Sequence, residues 1–219
     1  TTSGSFHLED QESESVELGI LYQNESLNLN ASYYQMDTKN EIQYDQSVNT
    51  NLDPIEREGV NIDLNYIIDQ RQKVSASINV TEAEFTGGSL SMGTGTTEFG
   101  GVVYYSGNET YGYGTNTAIN YLGSDGTANQ SVSLAGRKVP LVPPLTFSID
   151  YDRQIDNSTS FNFEIKYVDE KYVSNDQENI EPKIPDYYLI NTSLSKSRGD
   201  YNYKIGINNL TNEKFDLIF

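Results

Sequence analysis

The residues best equipped to meet a ligand lie in one stretch, GGSLSMGTGTTEFGGVVYYSGNETYGYGTNTAINYLGSDGTANQSVSLAG, which is crowded with glycine and tyrosine. Tyr104, Tyr105, Tyr111, Tyr113 and Tyr121 are rigid amphipathic rings set in adaptable backbone, a combination suited to lining a vestibule. The same tyrosines also suit a plainer role, pairing across a hairpin that extends a sheet. Arg137, followed by Lys138 and VPLVPP, adds cations for an anionic ligand or a lipid head group. Its proline run equally describes a stiff descent from loop to strand, because proline cannot donate to a central ladder. These five tyrosines and Arg137 are the candidate ligand contacts.

Other chemistry is poorly provided for. Without cysteine there is no thiol nucleophile, disulfide or thiolate ligand, and the one histidine, His7, supplies neither a triad nor a zinc set. GTGTTEFGG lacks the Gly-Lys-Ser/Thr ending and the following helix of a phosphate loop. The carboxylates of LEDQESE (Glu9, Asp10, Glu12, Glu14) and SNDQENIE (Asp176, Glu178, Glu181) lack the spacing and turn glycine of a calcium loop, and read as solvated. Asn-x-Ser/Thr triplets, several inside expected strands, follow from an Asn- and Ser-rich composition. No motif places two carboxylates for acid–base work, so neither an enzyme nor a metal or cofactor site is expected. With 14 Lys+Arg against 32 Asp+Glu, a formal charge of −18, nucleic acid is excluded as a partner.

The elements that must hold these loops are strands. In LNLNASYY, Leu27, Leu29, Ala31 and Tyr33 share one face while Asn28, Asn30, Ser32 and Tyr34 share the other. The pattern recurs through Val16–Tyr22, Val60–Tyr66, Val74–Val80, Leu145–Tyr151, Phe161–Tyr167, Tyr188–Leu194 and Tyr201–Ile207, which makes eight strands. Short turns, QNES, DQRQ, QIDNS and SRGD, alternate with long connections over about 45–56, 88–140 and 173–185. The order describes an all-β, antiparallel up-and-down meander of about eight long strands. In a membrane barrel the short turns are periplasmic and the long connections extracellular, so 88–140 is expected to be a long extracellular loop or a hairpin extension of the wall.

Alternation alone serves a soluble sandwich as well as a membrane barrel. Two features favour the membrane. The run from Asn28 to Tyr44 keeps strand character well beyond the roughly 9 to 11 residues that a tilted strand needs to span. Tyrosines also gather near strand ends, as an interfacial girdle requires. The apolar side chains are then expected to face lipid, and Asn, Ser, Thr and Asp the lumen.

The ordered segments ESVELGILY, LNLNASYYQMDTKNEIQY, NLDPIEREGVNIDLNY, VSASINVTEAEF, GRKVPLVPPLTFSIDY, FNFEIKYVDEKYVSND, KIPDYYLINTSLS and YKIGINNLTNEKF resemble the C-terminal part of the TonB-dependent outer-membrane receptors. The resemblance weakens between Gly87 and Ala135. It implies a bacterial outer-membrane transporter of about 22 strands around an N-terminal plug. Such a receptor takes up a scarce ligand, such as an iron siderophore, haem or a cobalamin, with energy from TonB. Residues 1–219 would then form one segment of a transmembrane barrel that is incomplete and carries no plug. Its implied partners are outer-membrane lipid, the plug and remaining strands of the same receptor, TonB through an N-terminal part not contained here, and a small-molecule ligand. A self-contained small outer-membrane barrel and a soluble secreted β-sandwich stand as alternatives. The strand after the short turn SRGD should rise toward the outside, and the resemblance likewise places INNLTNEKF on the next-to-last strand, so Phe219 is expected on a rising strand rather than at the closing end.

Overall fold

A computed structural model describes residues 8–45, 48–91, 96–99, 102–105, 131–174 and 176–216. Among them there is no helix. Eight strands form one sheet: β1 (Glu12–Gln23), β2 (Leu27–Lys39), β5 (Ile55–Asp69), β6 (Gln72–Phe85), β11 (Leu145–Asp156), β12 (Thr159–Val168), β13 (Tyr187–Arg198) and β14 (Tyr201–Ile207). They lie side by side in chain order, every pair antiparallel. The sheet is open, with β1 and β14 at its edges, and no second large sheet packs on it. This departs from both a closed small barrel and a sandwich of two sheets.

The register turns sequence alternation into two continuous faces. Tyr33 pairs with Val60 and Val60 with Val80; Ala31 pairs with Ile62 and Ile62 with Ile78. The row continues from Ile78 to Phe147, Tyr167 and Tyr188. The opposite face carries Asn28–Asn65–Ser75–Asp150–Glu164–Asn191 in one row and Ser32–Asn61–Asn79–Thr146 in another. A slip of one residue would swap the two sets, so each pairing supports the next. We call these the apolar and the polar face.

The four turns at one end are tight. Asn24 accepts the N–H of Ser26 at 2.8 Å and of Leu27 at 2.7 Å. Asp69 accepts from Arg71 N–H at 2.7 Å, and Asp156 from Ser158 N–H at 2.7 Å. Gly199 adopts φ +59° between β13 and β14, a conformation that glycine takes without steric cost.

The other end carries the long connections. The extended run expected from Asn28 to Tyr44 is broken: β2 stops at Lys39, and Asn40 turns the chain with φ +55° into β3 (Ile42–Asp45), which pairs with β4 (Val48–Asn51). Asn tolerates that left-handed backbone, and its carbonyl accepts from Asn51 Nδ2 at 2.7 Å. Within 86–144, β7 (Ser89–Ser91) pairs with β10 (Ser131–Ser133), and β8 (Thr96–Phe99) with β9 (Val102–Tyr105). The strand expected over INNLTNEKF loses its regular pairing after Ile207, although Leu210 N–H still donates to the Ile190 carbonyl of β13 at 2.7 Å. Asn209 and Asn212 take positive φ, and Phe215 stacks on Tyr187 with ring centres 4.6 Å apart. Residues 217–219 lie outside the described residues, so the expectation for Phe219 does too.

Candidate functional site

Most large apolar side chains of the sheet are uncovered. Leu18 is 77% exposed, Ile20 68% and Ile205 71%, while the buried apolar core among the described residues is only Ile55, Ala83, Phe85, Leu134, Val139 and Ile184. Each Val, Leu or Ile left in water forgoes about 1.5–3 kcal/mol, so this surface needs an apolar surrounding. Tyrosines stand toward both borders of the apolar face: Tyr22, Tyr66 and Tyr151 toward the short turns, Tyr33, Tyr167 and Tyr188 toward the long connections.

The polar face satisfies itself laterally. Tyr34 Oη lies 3.0 Å from Thr81 Oγ1, Thr81 donates to Asn79 Oδ1 at 2.9 Å, and Asn79 Nδ2 donates to Asn61 Oδ1. Tyr34 lies over Gly59, where a Cβ would stand 2.8 Å from the ring and 2.4 Å from the Val80 carbonyl. Farther along, Asn191 Nδ2 donates to Glu164 at 2.6 Å and Lys166 pairs with Glu164 at 2.7 Å. These amides and charges belong against water or another polar surface, not lipid.

Beyond this polar stretch, toward the long connections, Ile55, Ala83, Phe85, Leu134 and Val139 form a small core. The segment after β10 then runs beside β6 as a surrogate strand: Phe85 N–H donates to the Arg137 carbonyl at 2.9 Å, and Val139 N–H to that of Ala83 at 2.9 Å. Lys138 is gripped from both sides. Its ammonium bridges Glu82 and Glu84, and its backbone forms a two-way pair with the Asn179 side chain, receiving from Nδ2 at 2.8 Å and donating to Oδ1 at 2.5 Å. Partial desolvation opposes the charge on Lys138, but the hydrogen bonds to Glu82 and Glu84 outweigh it and raise its pKa. Glu82 is correspondingly held below the usual carboxylate range by the hydrogen bond from Lys138.

Next to it opens a cleft of about 330 Å³. Val80, Val139, Val142 and Pro144 line its apolar part, and Lys138, Lys171, Lys183, Glu170 and Tyr172 contribute polar groups. Lys183 lies 5.0 Å over the Tyr172 ring and 2.7 Å from Glu170, whose hydrogen bond raises the lysine pKa. With Lys138 and Lys183 already paired to carboxylates, the cleft joins an apolar wall to a polar part of mixed charge.

Of the expected contacts, Arg137 is half-buried at the edge of this cluster, where its backbone anchors Phe85 and turns on Leu134. Tyr104 and Tyr105 lie in β9, opposite Thr97 and Thr96. Tyr111, Tyr113 and Tyr121 fall outside the described residues. Sequence reasoning offered Lys138 beside Arg137 as a cation for an anionic ligand or a lipid head group, and missed Lys171, Lys183 and Asn179. The loop it treated as solvated is partly interior: Asp176 is 4% exposed and Glu178 2%. Asp176 accepts the N–H of Ile180 at 2.9 Å and of Glu181 at 3.1 Å, so its carboxylate organises the loop that delivers Asn179. Asp followed at i+3 by Asn was the available signal, since both residue types bond nearby backbone.

Comparison with known proteins now bears on the sheet. The model of the family described as TonB dependent receptor-like, beta-barrel matches residues 1–210. Among solved structures the chain is similar to the ferric yersiniabactin uptake receptor FyuA from Yersinia pestis, with 17% identity, TM-score 0.64, and coverage of 94% of this chain and 26% of that one. It is similar to the siderophore receptor PiuA from Acinetobacter baumannii, with 17% identity, TM-score 0.63, and coverage of 98% and 26%. The copper transporter OprC gives 14% identity, TM-score 0.62, and coverage of 96% and 26%. None of the curated proteins matches the chain in sequence. At these identities the likeness is one of fold, and the chain spans about a quarter of the length of those receptors. The family match runs through the whole two-faced sheet, and the chain belongs to the TonB-dependent receptor β-barrel family.

Proposed function

We propose that this chain forms part of the wall of a receptor in the bacterial outer membrane that takes up a scarce small molecule such as an iron siderophore, haem or a cobalamin. The observation that carries the reading is the register, which assembles one uninterrupted apolar face and one hydrogen-bonded polar face across eight strands. The apolar face meets lipid and the polar face a filled lumen. The tight turns lie at the periplasm, and the connections 40–54, 86–144 and 169–186 lie outside. Tyr104, Tyr105, Tyr111, Tyr113, Tyr121 and Arg137, with the neighbouring Lys138 cleft, belong to the outer vestibule where ligand first arrives. The plug, the other strands and the segment that engages TonB come from the rest of the receptor.

Disruption of the receptor in its host, with growth scored under limitation for iron or cobalamin on single ligands, tests this reading. The expected result is lost uptake of one ligand class, abolished equally by collapsing the proton gradient, with the protein recovered in the outer-membrane fraction. Recovery as a soluble folded protein would overturn it.

A further inference from the structure

The apolar face is short along every strand, although the strands are not. Residues 16–22 of β1, 27–33 of β2, 60–66 of β5, 74–80 of β6, 145–151 of β11 and 161–167 of β12 each set four apolar side chains on it. The next residue on the same face is polar at either end. Toward the long connections, Gln35, Glu58 and Glu82 form one cross-strand row. Toward the short turns stand Gln72 and Arg153, in register with each other, and Lys196 after Leu194. Ile68 and Ile155 are the exceptions, and each sits in the bulge where register shifts beside a short turn.

Hydroxyl groups mark both borders. Toward the long connections Tyr33 Oη donates to Glu58 at 2.8 Å, and Tyr167 Oη to Asp169 at 3.1 Å. Toward the short turns Tyr151 Oη donates to Gln72 at 2.6 Å, and Tyr22 Oη accepts from Asn24 Nδ2 at 3.0 Å. Each ring thus ends the greasy run with its polar tip turned outward, as an interfacial tyrosine does. The apolar run, tyrosines included, is seven residues in each of these strands. A strand that crosses an ordinary bilayer needs roughly 9 to 11. At about 3.3 Å per residue and a tilt of about 35–45°, a deficit of two to four residues amounts to about 5–10 Å along the membrane normal.

We infer that this wall spans a hydrocarbon layer about 5–10 Å thinner than the ordinary one, and that the lipids it gathers are those with short acyl chains. Two arrangements could meet so short a band in a thick bilayer. Either the rows holding Glu58, Glu82, Arg153 and Lys196 sink into hydrocarbon, or the lipid beside them shortens. Thinning the bilayer is the cheaper of the two, because charge in hydrocarbon is costly whereas mismatch is accommodated gradually. The strands run on past the band as polar ladder, so the thinning follows from where the apolar residues stop and not from strand length. This inference rests on the outer-membrane reading, which puts the apolar face against lipid.

The test uses the intact receptor reconstituted into nanodiscs of dilauroyl- and dioleoylphosphatidylcholine mixed in equal parts, which share a head group and differ in chain length. Lipid retained around the protein is counted by native mass spectrometry, and an enrichment of the dilauroyl lipid of about threefold or more is expected. Q35L/E58L/R153L/K196L lengthens the band by one outward residue on β2, β5, β11 and β13, and is expected to cut that enrichment by about half. Should the fourfold variant fail to fold, R153L/K196L gives the same comparison at one border. Equal retention of the two lipids by wild type, or an enrichment unchanged in the lengthened band, overturns the thin-membrane inference while leaving the barrel standing. Failure of the receptor to enter any bilayer overturns the outer-membrane reading as well.

Discussion

Single residues here are constrained mostly by their neighbours across the ladder. Gly59 is the clearest case, because Tyr34 occupies the space a side chain would fill and the Val80 carbonyl closes the other side. Gly59→Ala must move either a ring or a strand, an overpacking cost of about 1–3 kcal/mol, checked by urea unfolding of the reconstituted protein. A negligible shift would mean that Tyr34 swings away freely. Asp156 is the clearest charged case. Backbone and side-chain hydrogen bonds from Ser158 hold its pKa down to about 2. A depressed carboxylate stabilises the fold above its unfolded value of about 4, and that contribution disappears as pH falls from there through about 2. Wild type should therefore lose stability over this window more steeply than Asp156→Ala, as acid titration of the unfolding midpoint would show. The Gly59 contact was not legible beforehand, because the tyrosine that reaches it is 25 residues away, whereas the Asp156 bonds are local to a turn that the sequence located.

At the scale of elements, the tight turns are local devices and the long connections are not. Asn24, Asp69 and Asp156 each bond backbone two or three residues ahead, which is why the turns could be located from turn-forming residues alone. The cluster around Lys138 works otherwise. Asn179 reaches it across 41 residues, with Asp176 shaping the loop behind it. Asn179→Ala removes both backbone hydrogen bonds to Lys138, leaving half-buried groups unpaired at a cost of about 1–3 kcal/mol. Limited proteolysis should then cut the loop 173–183 faster while the eight-stranded sheet stays protected. Equal cleavage rates in wild type and variant would show that the loop is held by something else. Asn40 teaches the same lesson from the other side, since a run that alternated well to Tyr44 was ended by a single asparagine turning into the β3–β4 hairpin.

Across the whole molecule, the two faces make opposite demands on a new charge. Ile62→Arg, in the middle of the apolar face, is expected to cost about 2–4 kcal/mol in a bilayer, whereas Ser77→Arg on the polar face should leave folding almost intact. Urea titration of folding into vesicles compares the two directly, and equal penalties would contradict the assignment of faces. These faces were written in the sequence, because strand alternation has a period of two and eight segments repeat it without a break. Strand order and turn positions followed from that pattern, and the expected family from the resemblance of the ordered segments. What only the tertiary structure decided was everything depending on non-local approach: the burial of Asp176 and Glu178, the grip of Asn179 on Lys138, the loss of regular pairing after Ile207, and the meeting of Arg71 with the end of β11. The physical reason is range. Alternation is imposed residue by residue along one strand, while a loop's place is set by partners that are distant in sequence and become neighbours only when the sheet has formed.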